Sequence, residues 1–134
     1  MIKKILVAFD GSYYSEAALK YALQLAKPAQ ARLVGLFLED ITAYHQFSPI
    51  FYAPEMVGLA DDVIIEMKKE NRQSIQDNIR IFSETCDRAG VKYHVDREAG
   101  IPSEEILEES RYADLIITGS VTYFSNLSYT SDKK

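Results

Sequence analysis

Few side chains in this sequence have the chemistry to act on a substrate. Ser12 and Ser120 are the hydroxyls that stand where a turn could present a nucleophile. Both read more simply as a helix cap and a turn residue, because serine oxygens satisfy free backbone amides at such places. His45 and His94 are the two imidazoles, and neither has a Cys or His partner at metal-ligand spacing, so no zinc site is indicated. Asp61-Asp62 and Glu108-Glu109 are paired acids of the kind that hold Mg²⁺ or share a proton. Their helical neighbours, such as Glu66-Met67-Lys68-Lys69-Glu70, make them solvated faces with i,i+4 pairing. Cys86, the single cysteine, falls on the apolar stripe of a long helix and reads as core. A phosphate-binding P-loop is absent, since the turn Asp10-Gly11-Ser12 is too short to serve as one. A phospho-accepting receiver would need clustered acids after the first strand; Asp10 stands alone there, and Asp96 is the one residue that would fit an acceptor.

The elements that must position these groups are four apolar runs of strand length, at Lys3–Phe9, Arg32–Leu38, Val91–Arg97 and Asp114–Thr118, with helical patterns between them. Alternation of this kind predicts βαβ crossovers and a parallel sheet. The first, second and fourth runs are almost continuously apolar, as in strands covered on both faces. Val91-Lys92-Tyr93-His94-Val95-Asp96 alternates, which places it at an edge of the sheet.

The first helix is expected from Tyr13 to Lys27, capped by Ser12, stopped by Pro28, and burying Tyr14, Ala18, Ala22, Leu25 and Ala26. A second, from Leu59 to Ala89, would bury Val63, Met67, Ile75, Ile79, Phe82, Cys86 and Ala89, with Gly90 just past its end. A third opens at Pro102, carries Glu104 and Glu105 in its first turn, and buries Ile106 and Leu107. Between the second strand and second helix, Thr42 to Gly58 has no periodicity but holds Tyr44, Phe47, Phe51 and Tyr52, as a lid over the sheet or a partner-binding patch would.

With 134 residues, of which 47% are apolar, the chain can bury one core and has no room for two. A net charge of −5 argues against nucleic acid, whose phosphates are bound by Lys and Arg. No apolar run reaches the ~20 residues needed to cross a bilayer. The basic start Met1-Ile2-Lys3-Lys4 is followed by a run too short for a signal peptide, so the expected location is cytoplasmic and no membrane partner is expected.

Three motifs in order resemble the universal stress protein family: Lys3-Lys4-Ile5-Leu6-Val7-Ala8-Phe9-Asp10-Gly11-Ser12 with Ser15 and Ala18, then Ala99-Gly100-Ile101-Pro102-Ser103-Glu104-Glu105-Ile106-Leu107, then Ala113-Asp114-Leu115-Ile116-Ile117-Thr118-Gly119-Ser120. The resemblance implies a three-layer, Rossmann-like α/β domain with an open parallel sheet in the order 3-2-1-4. In its nucleotide-binding branch the Asp at the position of Asp10 holds adenine, and the residue at the position of Leu38 also lines the site. A turn of the form Gly-x-x-Gly-x9-Gly-Ser/Thr follows the fourth strand in that branch and cradles the phosphates. Here Gly119 supplies the first glycine, but Thr122 and Asp132 stand at the next two positions and Lys133 follows. A β-branched residue crowds such a turn, and a carboxylate repels phosphate.

Asp10, Gly11, Leu38, Gly119 and Ser120 are therefore the candidate cleft residues. The expected role is a binding and dimerising module without ATP hydrolysis; no cofactor is required, and ATP or AMP is the one ligand class left open. The family's fifth strand and last helix have no counterpart in the polar stretch from Val121 to Lys134. The chain reads as one domain, 1–134, cut before its last strand, with a second copy or a tandem domain as its expected partner.

Overall fold

The computed structural model describes residues 1–10, 14–41 and 57–119. In chain order they form β1 (Lys4–Asp10), α1 (Glu16–Ala29), β2 (Arg32–Asp40), α2 (Val57–Ala89), β3 (Tyr93–Gly100), α3 (Pro102–Ser110) and β4 (Leu115–Ile117). The four strands make one parallel sheet in the order β3-β2-β1-β4. Helices cover both faces, so the fold is the expected Rossmann-like α/β sandwich, with the alternating strand at the edge.

Side chains leave a strand to alternate faces, and that rule sorts the core into two layers. Ile5, Val7, Phe9, Leu33 and Phe37 meet Ala18, Leu19, Ala22 and Ala26 of α1 and Ile75, Phe82 and Cys86 of α2. Leu6, Ala8, Val34, Leu36 and Leu38 form the opposite layer, where Ile106 of α3 and Ala113 pack. Phe82 presses its ring onto the backbone of β2 at Gly35, where a Cβ would lie 2.8 Å from Phe82 Cζ and 3.0 Å from Phe37 Cε2. The ring of Phe9 stacks on Phe37 at 4.8 Å and on Tyr14 at 5.0 Å, and Phe82 meets Phe37 edge-on at 5.7 Å.

Several boundaries differ from the sequence expectation. Helix α1 begins one turn later, because Ser15 rather than Ser12 is its N-cap: Ser15 Oγ accepts the Ala18 amide at 3.2 Å. Tyr14 therefore precedes the helix and packs on Phe9 instead of lying in the helix stripe. Pro28 falls inside the last turn, and the stop comes from Gln30 in the left-handed region, where Ala31 N donates to Ala26 O at 3.0 Å. Gly90, at φ +70°, ends α2 in the same manner, with Val91 N donating to Cys86 O. That bond occupies Val91, so β3 starts at Tyr93 and not at Val91.

Val63 is 43% exposed rather than buried. At ~1.5 Å per helical residue and ~3.3 Å per strand residue, the 33-residue α2 outruns the 9-residue β2 by about 20 Å. Its buried positions accordingly start at Ile75. Leu107 is 63% exposed, since α3 lays only one stripe on the sheet, through the buried Pro102 and the partly buried Ile106. Most of the aromatic stretch expected as a lid or partner patch lies outside the described residues; Gly58, taken there as its end, is already helical.

Candidate functional site

Sheet order decides where a ligand can enter. From β1 the chain crosses to β2 on one side, whereas β4 returns to pair on the other, so the order reverses beside β1. In open parallel sheets the crevice at the carboxyl ends beside such a reversal is the place where loops diverge and a ligand fits.

Asp10 is the last residue of β1 and its register partner on β2 is Leu38. Two of the predicted cleft residues are thus brought side by side. Leu38 is buried, at 2% exposure, in the layer that faces α3. On the other flank Val7 pairs with Ile117; continuing that register for two residues sets Gly119 level with Phe9, one step short of Asp10. Gly119 also closes one end of a groove of about 670 Å³ that runs along β4 beneath Ala17, Tyr21 and Leu25 of α1. Gly11 and Ser120 lie outside the described residues, as does Ser12.

The entrance to β4 is fixed by a residue that sequence reasoning used only as part of a motif. The Asp114 carboxylate accepts the amides of Lys3 at 2.7 Å and Lys4 at 3.0 Å, while Asp114 N donates to Lys4 O at 2.9 Å. These backbone hydrogen bonds hold its carboxyl below the usual value of 3.8. The pairing ties β4 to β1 at the end opposite the crevice, and so sets the register that brings Gly119 toward Asp10.

The remaining titratable groups do not build a catalytic constellation among the described residues. Burial, and then the nearby Asp87, push the Cys86 thiol up to about 12, which leaves little thiolate at neutral pH and agrees with its reading as core. Burial pushes the Tyr14 phenol up to about 12 as well. His94 is exposed and contacts Asp96 at 3.0 Å. Asp96 pairs in register with Leu36, mid-strand rather than at a carboxyl end, which removes it from the position a receiver's acceptor would hold. Among the described residues no group of three His, Cys, Asp or Glu side chains could hold a metal, and no helix is long and apolar enough to cross a membrane.

Residues 1–123 match the Universal stress protein family. The chain belongs to that family. It is 30% identical over 126 residues to Universal stress protein MJ0531 of Methanocaldococcus jannaschii, covering 90% of this chain and 65% of that protein. It is 33% identical over 124 residues to Universal stress protein YxiE of Bacillus subtilis, covering 90% of this chain and 80% of the relative. Among solved structures the fold matches protein MJ0577 with a TM-score of 0.65 at 23% identity, over 93% of this chain and 79% of that one. A universal stress protein in complex with cAMP superposes with a TM-score of 0.58 at 21% identity, over 90% and 77% of the two chains. A family protein from Arabidopsis thaliana, At3g01520 with AMP bound, matches at 0.58 and 16% identity, over 98% and 86%. At these identities the structures speak for the universal stress protein fold alone.

Proposed function

We propose that this universal stress protein domain is a regulatory module that binds an adenosine monophosphate in the carboxyl-end crevice and does not turn over ATP. The observation that carries the reading is the register pair Asp10 and Leu38 beside the reversal of strand order, with Gly119 approaching from β4. An Asp that ends β1 in register with the buried Leu38 suits adenine, which offers an amino group along one edge and a flat apolar face. AMP and cAMP complexes of proteins with this fold support the ligand class. The broken glycine pattern favours a single phosphate, because Thr122 and Asp132 replace the glycines that would let main-chain amides close around a longer chain.

Association with a second copy or a tandem domain is the other half of the reading, and stress adaptation is the setting the family implies. Among the described residues the outer edge of β4 has no strand partner, and beside it Tyr21 and Ile116 are 59% and 38% exposed. Calorimetric titration tests the ligand: AMP or cAMP should bind one per chain and at least tenfold more tightly than ATP, and Asp10→Ala should weaken this at least tenfold. Tight ATP binding with steady phosphate release that Asp10→Ala abolishes would overturn the reading.

A further inference from the structure

We infer that the outer edge of β3 is a self-complementary interface, on which β3 of a second copy pairs antiparallel about a two-fold axis through Val95. This edge lies across the sheet from β4, and the inference does not depend on what the carboxyl-end crevice binds. Among the described residues β3 has β2 on one side and no strand on the other. The Leu33 amide donates to Lys92 O at 3.0 Å, so Lys92 and the alternate residues after it turn their backbone groups inward to β2. Tyr93, Val95 and Arg97 therefore turn theirs outward, toward any strand that arrives.

Charges on such an edge usually keep other strands away. Their order along β3 instead admits one partner. Lys92 and His94 come first, Asp96 and Glu98 follow, and all four share the face toward α3, since Tyr93 and Val95 pack in the opposite layer. An antiparallel copy centred on Val95 sets Lys92 opposite Glu98 and His94 opposite Asp96, and the symmetry repeats both pairs. Because their backbone groups point inward, these residues form the non-hydrogen-bonded pairs, in which facing side chains approach most closely. Val95 meets itself and Tyr93 meets Arg97 in the hydrogen-bonded pairs between them. Moving the axis by one residue puts His94 or Asp96 opposite itself, and a parallel copy in register puts every charge opposite its like. The second copy also brings cations to an edge crowded with acids. Burial, and after it Glu98, raise the Glu105 carboxyl above its usual value; burial and then Asp96 do the same for Glu109. His94 of the same chain contacts Asp96 at 3.0 Å, and Lys92 of the second copy would meet Glu98.

Charge exchange tests the pairing, with self-association of the purified chain followed by analytical ultracentrifugation up to millimolar concentration. Lys92→Glu alone and Glu98→Lys alone each set like charges opposite one another, and each should weaken association at least tenfold while melting within a few degrees of the parent. An equimolar mixture of the two variants should associate as tightly as the parent. The double variant Lys92→Glu, Glu98→Lys should do so by itself, because opposite signs return at both pairs. Tyr21→Glu, on the β4 side, should leave this association unchanged. A parent that stays monomeric, single variants that associate as the parent does, or a mixture that fails to recover each overturns the proposal. Loss in Tyr21→Glu with none in the single variants also overturns it, and gives the contact to the β4 edge.

Discussion

Asp114 shows what one exposed carboxylate can do when backbone amides converge on it. Two amides from β1 hold its carboxyl ionised, and its own amide closes the pair. Because its folded pKa lies below the usual 3.8, the stabilisation is complete above that value and disappears as pH falls through the folded value. Asp114→Asn should therefore lower the melting temperature at pH 7, and the gap from the parent should close as the pH is taken below 3; a constant gap across that range would show that the charge is not what matters. Sequence alone marks Asp114 as part of an Ala-Asp-Leu-Ile motif but does not say why an acid stands there, because its partners are more than a hundred residues away. The register pairing of Asp10 with Leu38 was legible for the opposite reason: β1 ends at Asp10, and Leu38 closes the apolar run of β2 two residues before that strand ends.

At the scale of elements the pattern of strands, their order and the edge position of β3 all follow from hydrophobic runs and the family resemblance. The places where expectation and structure part are helix ends and helix faces. Two serines three residues apart precede α1, and propensity cannot choose between Ser12 and Ser15; the cap is Ser15, extended and accepting the Ala18 amide, with Tyr14 just outside the helix and stacked on Phe9. Val63 and Leu107 were read as buried from periodicity, which gives a phase but not how far the sheet extends beneath the helix. Gly35 is the position where one element depends on another most closely, since the Phe82 ring lies on its backbone. Gly35→Ala should cost ~1–3 kcal/mol by overpacking. Phe82→Ala should cost ~3–5 kcal/mol through the cavity it leaves. Chemical denaturation of each variant measures both, and a Gly35→Ala protein as stable as the parent would mean that the aromatic cluster yields more easily than its contacts imply.

Over the whole molecule the charges are sorted by face. Arg97 looks toward α2 and its lysines, whereas Asp96 and Glu98, its neighbours on β3, share the other face with the acids of α3. Burial first, then the crowding of Glu98, Glu108 and Glu104, raise Glu105 above the usual 4.5; burial and then Asp96 do the same for Glu109. A raised folded pKa means that the favourable state is complete below 4.5 and is lost as pH rises through the folded value. The double variant Glu105→Gln, Glu109→Gln should gain ~1 kcal/mol or less at pH 7, with the gain vanishing toward pH 4, since like charges at partly exposed sites are worth no more than that. Thermal melts across this range decide the matter, and a loss of stability at pH 7 would show that the two carboxylates make contacts that outweigh their repulsion.

The bond from Asp114 to Lys3 and Lys4 also sets the timetable of folding. β1 leaves the ribosome ahead of β2 and can zip to it within the next thirty residues or so, yet its other flank waits until residue 114 has been made. During synthesis, at ~5–20 residues per second, that edge, a row of unpaired backbone N–H and C=O groups, stays open for several seconds. For that interval the edge is a template on which a strand of another chain could pair.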